Sequence, residues 1–211
     1  PYIDSLNLAG TVNGSLDLLQ NEGAYYPNSR VTIDNFKIND IVMGNLALDV
    51  KGNESLTNYV IDTKLVNEGF DALTAKGNIN VSSDNPSIDM DVQLRRLNMA
   101  AFSPLGGEVI SNIRGLASGR AQVTGDYKNP DINGELLLRN AGMKVPYLNT
   151  DYDFQGTARV TLSKQEFRFG NVALQDVKYS TQGTLTGTIS HQAFQDWELD
   201  LDVNTDRLLV L

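Results

Sequence analysis

The sequence predicts an all-β fold: an elongated, curled β-sheet with one apolar face and one short helix near residues 100–112. Three observations carry this. Apolar and polar residues alternate with period two along most of the chain, the pattern of strands with one dry and one wet face. None of these strands reads as a continuous apolar run, as a strand buried on both faces would. Only one stretch, from Leu97 to Leu138, does not read as alternating strand from end to end.

In chain order, Val12, Gly14, Leu16 and Leu18 oppose Asn13, Ser15 and Asp17. Turns are expected at Asn21-Glu22-Gly23 and near Pro27-Asn28. Val31 and Ile33 open the next strand, and Phe36 and Ile38 continue it after a phase change at Asp34-Asn35 that reads as a bulge. Leu46, Leu48 and Val50 follow, then Tyr59, Ile61 and Leu65, then Leu73, Ala75, Ile79 and Val81. Ile88, Met90, Val92 and Leu94 close the first run.

Leu97, Ala101, Leu105, Val109 and Ile113 then recur every four residues, on one side of a helix. Pro104 and Gly106-Gly107 interrupt it, so a short or broken helix is expected. We read residues 1–96 as one sheet segment, 97–114 as a helical plug or cap, and 115–211 as a continuing segment of one elongated domain. In the second run Tyr152, Phe154, Ala158, Val160 and Leu162 share a face. Phe167 and Phe169 follow, then Val172 and Leu174, then Val177 and Tyr179 after another phase change, then Leu185, Gly187 and Ile189. Trp197, Leu199, Leu201 and Val203 against Glu198, Asp200 and Asp202 make the clearest alternation.

A weak internal repeat runs from Gly10-x3-Gly14 through Pro27 to Gly52, and from Gly115-x3-Gly119 through Pro130 to Gly156. Roughly thirteen to fifteen strands with half their residues inward need a cover. Two inner faces could close on each other as a sandwich, or one curved sheet could line a groove. Small inner residues (Gly14, Ala75, Gly77, Gly156, Ala158, Gly187) and the phase changes favour curvature.

Composition narrows the function. A net charge of −9 and pI near 4.5 argue against nucleic-acid binding and against electrostatic docking on anionic lipid heads. With no cysteine there is neither disulfide nor thiolate metal site. The start at PYIDSLNLAG and the end at DRLLVL read as a piece of a longer protein.

No catalytic residue, metal ligand or cofactor is predicted, and the chain is not read as an enzyme. His191, the single histidine, reads as a solvated turn residue; no G-x-S-x-G elbow accompanies it. Asp89/Asp91 and Glu198/Asp200/Asp202 read as the wet side of strands. Asn129-Pro130-Asp131-Ile132-Asn133-Gly134 reads as a turn, since Asn140 stands where a calcium loop needs its bidentate Glu. The candidate groove lining is Leu16, Leu48, Ile61, Ile79, Met90, Leu136, Phe154, Val160, Leu185, Trp197, Leu199 and Leu201. Three classes fit such a face: a lipid-carrying groove, a structural or adhesive β-repeat with a closed core, and, third, a carbohydrate-active β-solenoid, for which Tyr25-Tyr26 is the one aromatic doublet.

The succession FSPL, then ISNIRGLASGRAQVTGDYKNPDINGELLL, resembles the C-terminal domain of the TamB family in the AsmA-like superfamily. The resemblance rests on the G-x3-G strand, the turn Asn129-Pro130-Asp131-Ile132-Asn133-Gly134, the strand with Tyr152, Phe154 and Gly156, and the closing DWELDLDVNTDRLLVL. It covers Ser87 to Leu211 well and the first 86 residues more loosely, and the closing strand is most similar to TamB-like proteins of the Bacteroidota. It implies a taco-like curled sheet with an apolar concave face, in the periplasm, belonging to a protein anchored in the inner membrane and reaching the outer one. It also implies phospholipid acyl chains as cargo, an Omp85-type (TamA-like) outer-membrane β-barrel as partner through other parts of the protein, and a role in outer-membrane biogenesis and protein assembly.

Overall fold

Tight turns set the topology. At Glu22-Gly23, Asn39-Asp40, Glu68-Gly69 and Ala193-Phe194 both turn residues have positive φ. That twist matches antiparallel neighbours joined by two residues. The computed structural model describes residues 6–84 and 86–205. Its strands are β1 (Leu8–Asn21), β2 (Ala24–Ile38), β3 (Ile41–Gly52), β4 (Asn58–Asn67), β5 (Phe70–Asn80) and β6 (Ser87–Asn98). After a 3-10 helix (Met99–Gly106) come β7 (Ser111–Gly125), β8 (Asp131–Val145), β9 (Thr150–Phe154), β10 (Thr157–Ser163), β11 (Glu166–Asp176), β12 (Gln182–Gln192) and β13 (Gln195–Thr205).

All thirteen lie in one antiparallel, up-and-down, curled sheet, so the all-β expectation holds. β9 and β10 together fill one position between β8 and β11, broken at Gln155-Gly156. Twelve positions at about 4.8 Å spacing make a sheet about 53 Å across. β1 and β13 are its two edges. The surface of 12575 Å² exceeds the roughly 9,700 Å² of a compact protein of this mass, as an incompletely closed sheet requires.

The C-terminal half curls over its own apolar face. Glu108 and Val109, just before β7, line one cavity with Leu199, Leu201 and Val203 of β13. A flat sheet would hold β7 and β13 about 24 Å apart, so the sheet curls over its own apolar face. Inner-face glycines allow this. A Cβ at Gly119 or Gly187 would fall on the carbonyl oxygen of Glu135 or Asp200, and both have φ values that L-residues avoid. Bulges at Asn35, between Leu94 and Leu97, and at Gly170-Asn171 re-aim the strands while keeping the apolar residues inward.

Several expectations need correction. The helix is of the 3-10 type and ends at Gly106, not 112. Its cap is Asn98, whose side chain accepts from the Ala100 amide, and Gly106-Gly107 stops it. Residues 97–98 belong to β6 and 111–114 to β7, so the separate 97–114 segment shrinks to 99–110. Its apolar residues still link two cores. Leu97 and Ala101 pack with Ile38, Met43, Leu65 and Ala72, whereas Ile110 joins the larger C-terminal cluster. Pro27 lies inside β2 opposite Leu18, not at a turn, because its missing N–H is tolerated within this ladder. Pro130 does lie in a connection, so the prolines of the two repeat units are not equivalent. Val177 and Tyr179 lie in the turn after β11, where the Asp176 side chain accepts from the amides of Lys178 and Tyr179. The closing run from Asp206 to Leu211 lies outside the described residues.

Candidate functional site

Paired residues of neighbouring strands share a face. Followed from edge to edge, one row reads Val12, Ile33, Leu46, Leu65, Leu73, Leu94, Gly119, Leu136, Val160, Phe169, Gly187 and Leu201. Every member is apolar or glycine. Alternation and register place all twelve predicted lining residues on this same face: Leu16, Leu48, Ile61, Ile79, Met90, Leu136, Phe154, Val160, Leu185, Trp197, Leu199 and Leu201. Ser29 and Thr63 are polar members of the adjacent rows.

These residues are not equally open. Leu16 on edge strand β1 is 65% exposed, with Val12 and Leu18 similarly bare. Leu48, Ile61 and Ile79 are half-buried. Met90, Leu136, Phe154, Val160 and Leu185 are buried, Leu185 to 1% exposure. Trp197, Leu199 and Leu201 are again half-buried. The uniform groove expected from alternation is therefore graded. Edge strand β1 presents its apolar face, β2 to β5 are partly covered by a smaller cluster around Leu65, Ala72 and Leu97, and much of the C-terminal half packs shut around Phe154, Val160, Phe169, Leu174 and Leu185.

The shut half retains a cavity of about 540 Å³ at the end of the sheet where β7 begins and β13 stops. It is lined mainly by apolar residues, among them Met143, Val145, Leu148, Tyr152, Leu174 and Leu199. Beside it, and sharing Leu148, a second recess of about 260 Å³ is mixed in character, with Lys144, Asp151, Asp176 and Lys178 in its walls together with Val177 and Tyr179. A third, smaller recess shares Thr150, Asp176 and Tyr179 with the second one and Tyr152, Leu174 and Val203 with the apolar cavity.

The wall of this end is fixed by a charge cluster on the outer face. Arg114 donates to Asp151 at 2.7 Å, to Asp153 at 2.6 Å and to the Tyr152 carbonyl at 3.0 Å. Asn112 donates to the other oxygen of Asp151 at 2.9 Å. Gly142 leaves the space that the guanidinium fills. Charge-assisted bonds of this kind tie β9 to the start of β7, two positions away. Sequence reading missed this cluster, because its members come together only through the meander.

His191 is the largest correction among the candidate residues. It is buried, not solvated, and its ring stacks on Phe194 at 4.6 Å and lies 4.9 Å from Trp197. Nδ1 accepts from the Phe194 amide at 3.1 Å, so the neutral ring carries its proton on Nε2. Burial lowers its pKa from the ordinary histidine value. The signal was available: Leu185, Gly187, Ile189 and His191 have one parity, so His191 continues the inner face. Asp89, Asp91, Glu198, Asp200 and Asp202 are exposed on the outer face, as expected. Among the described residues no cluster of His, Cys, Asp or Glu has the arrangement of a metal site. Among the described residues no helix is long and apolar enough to cross a membrane. Comparison with family models, with curated proteins and with solved structures returned no match.

Proposed function

We propose that the chain is a periplasmic segment of a TamB-like bridge protein, and that its inner face carries phospholipid acyl chains between the inner and outer membranes. In this reading it supports outer-membrane biogenesis alongside an Omp85-type barrel that meets other parts of the protein. It performs no chemistry of its own. The observation that carries the reading is the unbroken apolar row from β1 to β13, bare on β1 and half-buried on β2, β3 and β5. An apolar surface of this extent marks an interaction site rather than a solvated face. Each methylene held on it is worth about 0.8 kcal/mol relative to water. A row without charges lets a tail slide sideways at small cost, while the head stays in water.

The test is photo-crosslinking in cells from Leu48, Ile61 and Ile79, with the outward positions Asp49, Asp62 and Asn78 as controls. Phospholipid adducts from the inward set alone support the groove. Ile61→Arg in the same protein should stop passage, because an unpaired charge on the row raises a barrier of several kcal/mol. The packed C-terminal core favours one other reading, a structural β-repeat. Absence of adducts from both faces, with the protein folded and expressed, would establish that reading instead.

A further inference from the structure

Between the two lips of the curled sheet lies the cavity of about 540 Å³. One lip is edge strand β13, with Leu199, Leu201 and Val203; the other is the segment Glu108-Val109 that leads into β7. Tyr147 and Leu148 stand at the mouth, 93% and 43% exposed, while Leu185 at the floor is sealed. Followed away from that mouth, β13 runs from Val203 through Leu199 to Trp197, which stacks on Phe167 and lies 4.9 Å from the ring of His191. These three rings close the end of the curl remote from Tyr147. Apart from Glu108 and the two tyrosines, the side chains lining the cavity are apolar. Close-packed interiors leave few voids larger than a water molecule, and a water here would find few polar partners. A peptide would bury an amide at every residue against side chains that offer it no partner. An alkyl chain carries no such cost. The recess beside the mouth adds no preference for a charge: Lys144 and Lys178 stand against Asp151 and Asp176, and the Lys178 ammonium already lies 4.8 Å from the centre of the Tyr179 ring.

We propose that this cavity is a blind tail site: it takes one alkyl chain of a lipid, methyl end first past Tyr147, and leaves the head group in water and unread. This deepens the function proposed above and rests on it. The open face lets a tail slide, whereas a tail that enters here stops against the aromatic rings and the packed core. The volume lies within the roughly 300–1,000 Å³ typical of sites that enclose small ligands. Selection then depends on the length of the tail, because the lining offers contact area and no group that would read a head.

The test is isothermal titration calorimetry of the 211-residue chain with monoacylglycerols of increasing chain length, each kept below micelle formation. Binding should tighten about fourfold per added methylene until the cavity is full, and then level off. Lysophosphatidylglycerol and lysophosphatidylcholine of matched chain should bind within about twofold of the monoacylglycerol, since a head left in water gains little from exposed charges. Val109→Trp fills the cavity from one lip and should weaken binding about tenfold or more. Leu148→Trp tests the same point at the exposed mouth, where the core is not overpacked, and Val60→Trp on the exposed outer face should change nothing. Far-UV circular dichroism keeps unfolded variants out of the comparison. Undiminished binding by folded Val109→Trp and Leu148→Trp chains would put the tail elsewhere on the inner face, overturning this site while leaving the groove intact. Affinity that follows head-group charge instead of chain length would overturn tail recognition. A dimer in sedimentation equilibrium that Val109→Trp dissolves and lipid does not would show a surface for a second copy instead. Failure of every amphiphile to bind the unaltered chain would count against the groove itself.

Discussion

Two leucines on one face separate scaffold from open surface. Leu185 is the largest fully buried side chain, whereas Leu16 on the same face is 65% exposed. Truncating Leu185 to Ala removes three buried carbons from a closed core, with Val172 and Val203 directly opposite it in the neighbouring strands. The transfer loss and the residual cavity together should cost about 3–5 kcal/mol. Leu16→Ala forfeits only the third of the side chain that is covered. Scaled from about 1.5–3 kcal/mol for complete burial, that is about 0.5–1 kcal/mol. A urea slope of about 2–3 kcal/mol per molar turns the difference into a midpoint gap of about 1–2 M. Urea melts followed by tryptophan fluorescence report on this directly, because Trp197 lies next to Leu199 and Leu201 of β13. Equal midpoint shifts for the two variants would refute the graded face, and with it the division into a packed interior and an open edge strand.

Two further outcomes are expected. Gly119→Ala places a Cβ against the Glu135 carbonyl at a φ of +155°, so it should destabilise the chain by about 2 kcal/mol or more, read as a lowered thermal midpoint; a neutral result would remove the close approach as a cause of the curl. For His191 the folded pKa lies below the unfolded one, so its contribution is complete above about pH 6.5 and declines as the pH falls below that value. His191→Phe should flatten the dependence of the melting temperature between pH 7 and pH 5, and an unchanged slope would show that His191 is not the responsible group.

Much of the site was legible because strand parity is local. Leu46, Leu48, Leu199 and Leu201 announce their face through their own neighbours. His191 and Thr150 were legible in principle by the same parity, two residues beyond Ile189 and two before Tyr152, yet polar identity suggested turn or surface. The 3-10 helix was misjudged in length because a four-residue apolar period was continued across Gly106-Gly107, where the chain already turns toward β7. The cluster of Arg114 with Asp151 and Asp153 carries no local signal. Its members lie 37 and 39 residues apart and meet only after β8 has been threaded between them.

The sequence by itself determined that this protein is a meander of strands with one apolar face, and which residues lie on it, because side-chain direction follows from period two and short turns force neighbouring pairs. Tertiary structure alone decided how far that face closes. Whether Leu185 is covered depends on where Glu108, Val109 and β13 arrive after the sheet has curled, a sum of small twists, bulges and glycine approaches over twelve positions. Burial is a relation between distant strands, so the same alternation leaves Leu16 bare at one edge and Leu185 sealed in the core.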